Sequence, residues 1–153
     1  MADVKSDFLL KAIHSEITAR DAYGELIGRI QNSEGKQLMQ RLSRDEENHR
    51  IRLAARYAAI EGSEYMFDPD IDAGPDFSFL KKSTFSRTDG EEALRLAIGA
   101  EIDAVQYYSS QLDDDLCAED RRMLKDLIRF EKGHKKKLER ELKHLVKRNH
   151  WNV

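Results

Sequence analysis

Arg44-Asp45-Glu46-Glu47-Asn48-His49 and Arg129-Phe130-Glu131-Lys132-Gly133-His134 decide how this chain is read. Each contains Glu-x-x-His, and three residues along a helix return a side chain to nearly the same face. At that spacing a carboxylate oxygen and an imidazole nitrogen reach toward one common point. The two units lie 85 residues apart. The same shift superimposes Ile13 on Ile98, Glu16 on Glu101, Ala19 on Ala104, Tyr23 on Tyr108, Leu42 on Leu127 and Leu53 on Leu138. Met39 and Leu124 match in apolar class. The chain therefore reads as two copies of one helical hairpin, related by a pseudo-twofold axis when they pack together.

Around these units apolar residues recur at steps of three and four. Leu9, Ile13, Ala19, Tyr23 and Ile30 make one stripe, and Met39, Leu42, Leu53, Tyr57 and Ile60 a second. Leu94, Ile98, Ala104, Tyr108 and Leu112 make a third, and Leu124, Leu127, Leu138 and Leu145 a fourth. The pattern predicts helices over about 6–31, 34–61, 89–112 and 118–147. Asn32 to Gly35 supply turn chemistry, Gly62 a stop signal, and Thr88 with Glu91 the spacing of a capping box. From about 62 to 88 the periodicity vanishes, and both prolines, Pro69 and Pro75, fall there. Phe67, Phe77, Phe79 and Phe85 predict that this long crossover packs along the helices. Two hairpins joined by one long connection predict an all-α four-helix bundle, a single domain over residues 1–153.

The net charge of −3, with both signs interspersed, creates no field to gather nucleic acid or a membrane surface. The basic run over Lys132–Arg140 and His144–His150 reads as a solvated helix face, since no aromatic residue interleaves it and only Trp151 follows. One cysteine, Cys117, excludes a disulfide framework and any Cys-x-x-Cys iron site within these residues. The charged start lacks an apolar segment of signal-peptide or membrane-spanning length, so a reducing cytoplasm is expected.

On every stripe a glutamate holds a position that would otherwise be apolar. Burying an ionised carboxylate costs several kcal/mol unless it is paired or coordinates a cation. Glu16, Glu46, Glu101 and Glu131 at one level repel each other, and two divalent cations balance their four negative charges. Replacing Glu46 or Glu131 by Gln is therefore expected to stabilise the metal-free protein. One Glu from each of two helices plus Glu-x-x-His from each of the other two is the donor set of di-iron carboxylate bundles. Glu16, Glu46, His49, Glu101, Glu131 and His134 are the predicted ligands. Carboxylate-rich coordination suits two iron ions, with manganese or zinc as alternative occupants.

The segments SEITARDAY with RDEENHRIRL, and GAEIDAVQYY with RFEKGHKKKL, resemble the two halves of a rubrerythrin-type ferritin-like domain. The resemblance covers nearly the whole chain except the crossover and the last few residues. It implies that Glu46 and Glu131 bridge two metals, with Glu16, Glu101, His49 and His134 as terminal ligands. Tyr23 and Tyr108, each two turns beyond a terminal glutamate, are candidates to hydrogen-bond those carboxylates. The resemblance also implies a homodimer, in which the long crossover would permit exchange of helix pairs. Typical rubrerythrins carry an extra carboxylate where this chain has Ala104, so six protein ligands and a more symmetric site are expected. They also end in a rubredoxin-like domain with four cysteines, so electrons here are expected from an external donor.

The expected chemistry is oxidation of Fe(II) by dioxygen or peroxide, ferroxidase or peroxidase-like, in iron handling or oxidative-stress defence. The alternatives are non-enzymatic iron binding and delivery, and a di-iron oxygenase acting on an organic substrate. Asp45, Glu47 and Asp103 read as solvated neighbours of the ligands, and His14 as a surface or interface residue. His144 and His150 lie beyond the metal level, and Cys117 reads as a small packing residue.

Overall fold

A computed structural model describes residues 3–30, 33–66 and 90–148. Within them the chain forms α1 (Asp3–Arg29), α2 (Ser33–Glu61), α3 (Glu91–Ser110) and α4 (Ala118–Arg148), and no strand. The four expected helices are all present. The crossover from residue 67 onward, both prolines, Thr88 and His150 lie outside the described residues.

Local chemistry sets the ends. Gly62 takes φ 72° and donates its N–H to the Ala58 carbonyl at 2.9 Å, the left-handed stop that a residue without Cβ adopts cheaply. The start of α3 departs from the capping-box expectation. Gly90, which has no side chain to cap with, is the N-cap, and the helix begins two residues later than predicted. Its other end also comes early: the N–H groups of Gln111 and Leu112 turn to carbonyls three residues back, tightening the last turn. Asp113 Oδ1 then accepts from the Asp115 N–H, so the aspartate run folds on itself as a turn. Cys117 caps α4, its Sγ accepting the Asp120 N–H at 3.5 Å, which is a more specific duty than the filler expected of it.

Two apolar clusters fill the interior. One joins Tyr23, Leu26 and Ile30 of α1 to Leu38, Met39 and Leu42 of α2, Leu94 and Ala97 of α3 and Leu138 of α4. The other joins Phe8, Leu9 and Ile13 to Leu53, Ala104, Tyr108, Leu124 and Leu127. Membership fixes the topology: α1 runs antiparallel to α2 and α3, and α2 and α3 run parallel. Parallel neighbours in sequence require a connection that returns along the bundle, which is the ferritin-like arrangement. The pseudo-twofold exchanges the clusters, since Leu94, Leu124, Leu127 and Leu138 match Leu9, Met39, Leu42 and Leu53. Truncating such a buried leucine to alanine costs about 2–5 kcal/mol. No helix among the described residues is long and apolar enough to cross a membrane.

Candidate metal centre

Between the two apolar clusters lies a polar layer. Glu16 comes from the middle of α1, Glu46 and His49 from α2, Glu101 from α3, and Glu131 and His134 from α4, and all six are buried. The six candidate ligands read from the sequence are thus brought together. They fall into two groups: Glu16, Glu46, His49 and Glu131, and Glu46, Glu101, Glu131 and His134. Within each group one donor atom per residue lies within 4.8 Å of the others. Glu46 and Glu131 belong to both groups, and the remaining members exchange under the repeat.

The imidazoles face the carboxylates through Nδ1. His134 Nδ1 lies 2.7 Å from Glu46 Oε1, 3.2 Å from Glu131 Oε2 and 3.5 Å from Glu101 Oε1. His49 Nδ1 stands farther off, 3.4 Å from Glu131 and 3.5 Å from Glu16 and Glu46. The rings are nearly parallel, with centroids 5.9 Å apart.

Tyr23 and Tyr108 do hydrogen-bond the terminal carboxylates, but crosswise. Tyr23 donates to Glu101 Oε1 at 2.5 Å, and Tyr108 donates to Glu16 Oε1 at 2.6 Å. Each tyrosine serves the other hairpin. Burial, then Glu101 for Tyr23 and Glu16 for Tyr108, pushes both phenols well above their ordinary range, so they remain donors.

Electrostatics divide the carboxylates. Burial, and then the Glu16 charge, raises Glu46. Burial, and then Glu131, raises Glu101 well above the ordinary range. For Glu131, burial and Glu46 push upward, but the neighbouring His134, His49 and Glu101 outweigh them and the carboxyl is lowered. Burial pulls the His49 imidazolium down, yet Glu131, Glu16 and Glu46 around it carry it up to about 12. Burial likewise opposes the charge on His134, and Asp45, Glu101, Glu131 and Glu46 overcome it. Both imidazoles are thus driven toward their charged forms, which offsets the buried acids in the free protein. The raised Glu46 is in keeping with the expectation that Gln there stabilises the free protein, whereas the lowered Glu131 argues against it at the second position.

Several bystander readings are corrected. Asp45 is not simply solvated: its Oδ2 lies 3.1 Å from His134 Nε2, with the Asp45 side chain 37% exposed. His14 is buried, because Ala12 to Glu16 are covered round the whole circumference of α1. Glu47 does turn outward, gripped by Arg20 and Arg50; the Arg50 hydrogen bond, against some burial, lowers it to about 2. Asp103 is exposed and His144 half-buried. Phe130, absent from the candidate residues, rests against the His49 ring at 5.0 Å. Asp45 and Phe130 occupy equivalent repeat positions, a signal the sequence already carried.

The family model for rubrerythrin matches residues 7–142. The chain belongs to the rubrerythrin family. A solved structure of a hypothetical protein from Pyrococcus furiosus superimposes with a TM-score of 0.72 at 25% identity, over 96% of this chain and 94% of that one. No curated protein matches the chain significantly. Against typical rubrerythrins the buried Ala104 leaves the α3 side of the layer with Glu101 as its carboxylate. The donor chemistry fits divalent metal. Among the described residues Glu16 Oε2, Glu101 Oε2 and His49 Nδ1 are buried without a hydrogen-bond partner, and such atoms are costly unless something coordinates them.

Proposed function

We propose that this rubrerythrin-family protein holds two iron ions in the polar layer and oxidises Fe(II) with peroxide or dioxygen. The observation that carries the reading is that Glu46 and Glu131 are shared by both donor groups. Glu16 and His49 would complete one ion's donor set, and Glu101 and His134 the other's. Fe(II) held there would supply the two electrons that, with two protons, reduce one peroxide molecule to two waters. Manganese or zinc fits the same donors.

The chain's own residues do the rest. Tyr23 and Tyr108 hold Glu101 and Glu16 by short hydrogen bonds, fixing the terminal carboxylates before any ion arrives. Fully buried side chains on either side, Leu42 and Leu94 in one cluster and Ile13 and Leu53 in the other, keep water from the layer along the bundle axis. A cleft of about 320 Å³ between α2 and α4 reaches the imidazole edges past Asn48, Arg52, Phe130 and Gly133. It offers a small oxidant a way in from the side. Because the apolar core beside the layer is filled, the peroxidase or ferroxidase reading is favoured over oxygenation of a bulky organic substrate. Sustained turnover draws electrons from an external donor, and a cytoplasmic homodimer is the assembly we expect.

Anaerobic loading should give two iron ions per chain, and one equivalent of peroxide should oxidise both within the mixing time. His134→Ala or Glu131→Ala should slow oxidation by about two orders of magnitude or more. Wild-type oxidation rates in His134→Ala would overturn the proposal.

A further inference from the structure

The repeat is broken at one pair of positions that touches the centre. Asp45 and Phe130 are equivalent under the 85-residue shift, and each reaches across the α2–α4 interface to the other helix's histidine. Asp45 Oδ2 lies 3.1 Å from His134 Nε2. With an ion in the layer, a proton kept on Nε2 by Asp45 leaves the Nδ1 lone pair for the metal and makes the imidazole a stronger ligand. His49 has an aromatic ring in that place, tilted 49° from its own. Among the described residues no carboxylate pairs with His49 Nε2. Its Nδ1 also stands off the carboxylates at 3.4 Å or more, whereas His134 Nδ1 comes to 2.7 Å from Glu46.

We propose that the two halves of the centre bind metal unequally: the half built on His134 and Glu101 takes the first divalent ion, and Asp45 is the positioning residue responsible. The half built on His49 and Glu16 is the exchangeable one. This rests on the reading that the layer is a metal site. Outer carboxylate partners of a ligating histidine are worth about 10–100-fold in metal affinity. Two ions sharing Glu46 and Glu131 repel each other, so unequal affinities alone do not establish the inference. Which histidine fills first, and how the step responds to positions 45 and 130, does.

The test titrates the whole metal-free protein with Zn(II) and follows both imidazoles by long-range proton–nitrogen NMR, with calorimetry for affinity and circular dichroism for the fold. At one equivalent the His134 nitrogens should shift while those of His49 stay in place. Asp45→Ala should weaken the first step about 10-fold or more, and Asp45→Asn, which keeps an acceptor but loses the charge, should weaken it less. Phe130→Asp supplies the missing partner, and should tighten the second step and bring the two affinities together. Simultaneous shifts of both histidines, or His49 shifting first, would overturn the inference and leave the metal site standing. Failure to bind any zinc would instead remove the proposed function on which it rests.

Discussion

Tyr23→Phe removes one oxygen from a fully buried side chain and leaves its packing among Leu26, Met39 and Leu94 almost unchanged. What is lost is the 2.5 Å hydrogen bond to Glu101, whose other oxygen has no hydrogen-bond partner among the described residues. With metal bound, Glu101 is ionised, and a bond to a charged group contributes about 1.5–3 kcal/mol. In the free protein burial and Glu131 raise Glu101 and so favour its protonated form, in which the same contact falls toward a neutral bond of about 0.5–1.5 kcal/mol. For a domain of this size each kcal/mol moves the melting temperature by about 2–4 °C. The expected fall is therefore about 3–12 °C in metal-loaded protein and about 1–6 °C without metal. Tyr108→Phe should behave alike through Glu16, because the repeat makes the two contacts equivalent. Scanning calorimetry of wild type and both variants, with and without Mn(II), measures the four differences. Equal shifts in the two metal states would refute the argument that the tyrosines stabilise ionised ligand carboxylates.

Two further outcomes follow from the division among the acids. Glu46→Gln should raise the melting temperature of metal-free protein at neutral pH, since its carboxyl is raised, while Glu131→Gln should lower it, since its carboxyl is lowered; parallel changes would contradict the assignment. His49, raised from 6.5 to about 12, gives stability that is fully present below pH 6.5 and lost as pH climbs toward 12. The lowered Glu131 gives stability present above its ordinary value of 4.5 and lost as pH falls through its folded value. Urea unfolding of metal-free protein should accordingly show greatest stability at mildly acid pH, and a steady rise from pH 6 to 9 would sink this account.

The repeat made the helices and the six clustered residues legible, because burying a glutamate on an apolar stripe is costly enough to stand out in one sequence. Partner choice across the bundle was not legible. Seven residues along a helix advance about 10 Å, so Tyr23 stands beyond reach of Glu16 on its own helix and meets Glu101 on the antiparallel α3 instead. Asp45 was misjudged for a related reason. Helical phase turns it away from the apolar stripe, yet it lies four residues before His49 and therefore shares that residue's face. His14 was misjudged because a stripe records the most apolar face and says nothing of how far round a helix its neighbours reach. The early end of α3 reflects competition at its C-terminus, where Asp113 offers the backbone a turn that helical periodicity does not register.

Backbones approach closely within each hairpin, α1 with α2 and α3 with α4, whereas the hairpins meet chiefly through side chains. Those side chains are the two apolar clusters, the crossed Tyr–Glu bonds, the 2.8 Å Arg56–Asp120 pair and the carboxylate layer itself. Neither hairpin alone completes a donor group. The first brings Glu16, Glu46 and His49 but needs Glu131 from the second, and the second brings Glu101, Glu131 and His134 but needs Glu46 from the first. A cation bound by either group therefore ties the hairpins together across the pseudo-twofold axis. Each donor group is therefore complete only where the two halves are docked, so the charges that the layer must balance are brought together by the same packing that buries them.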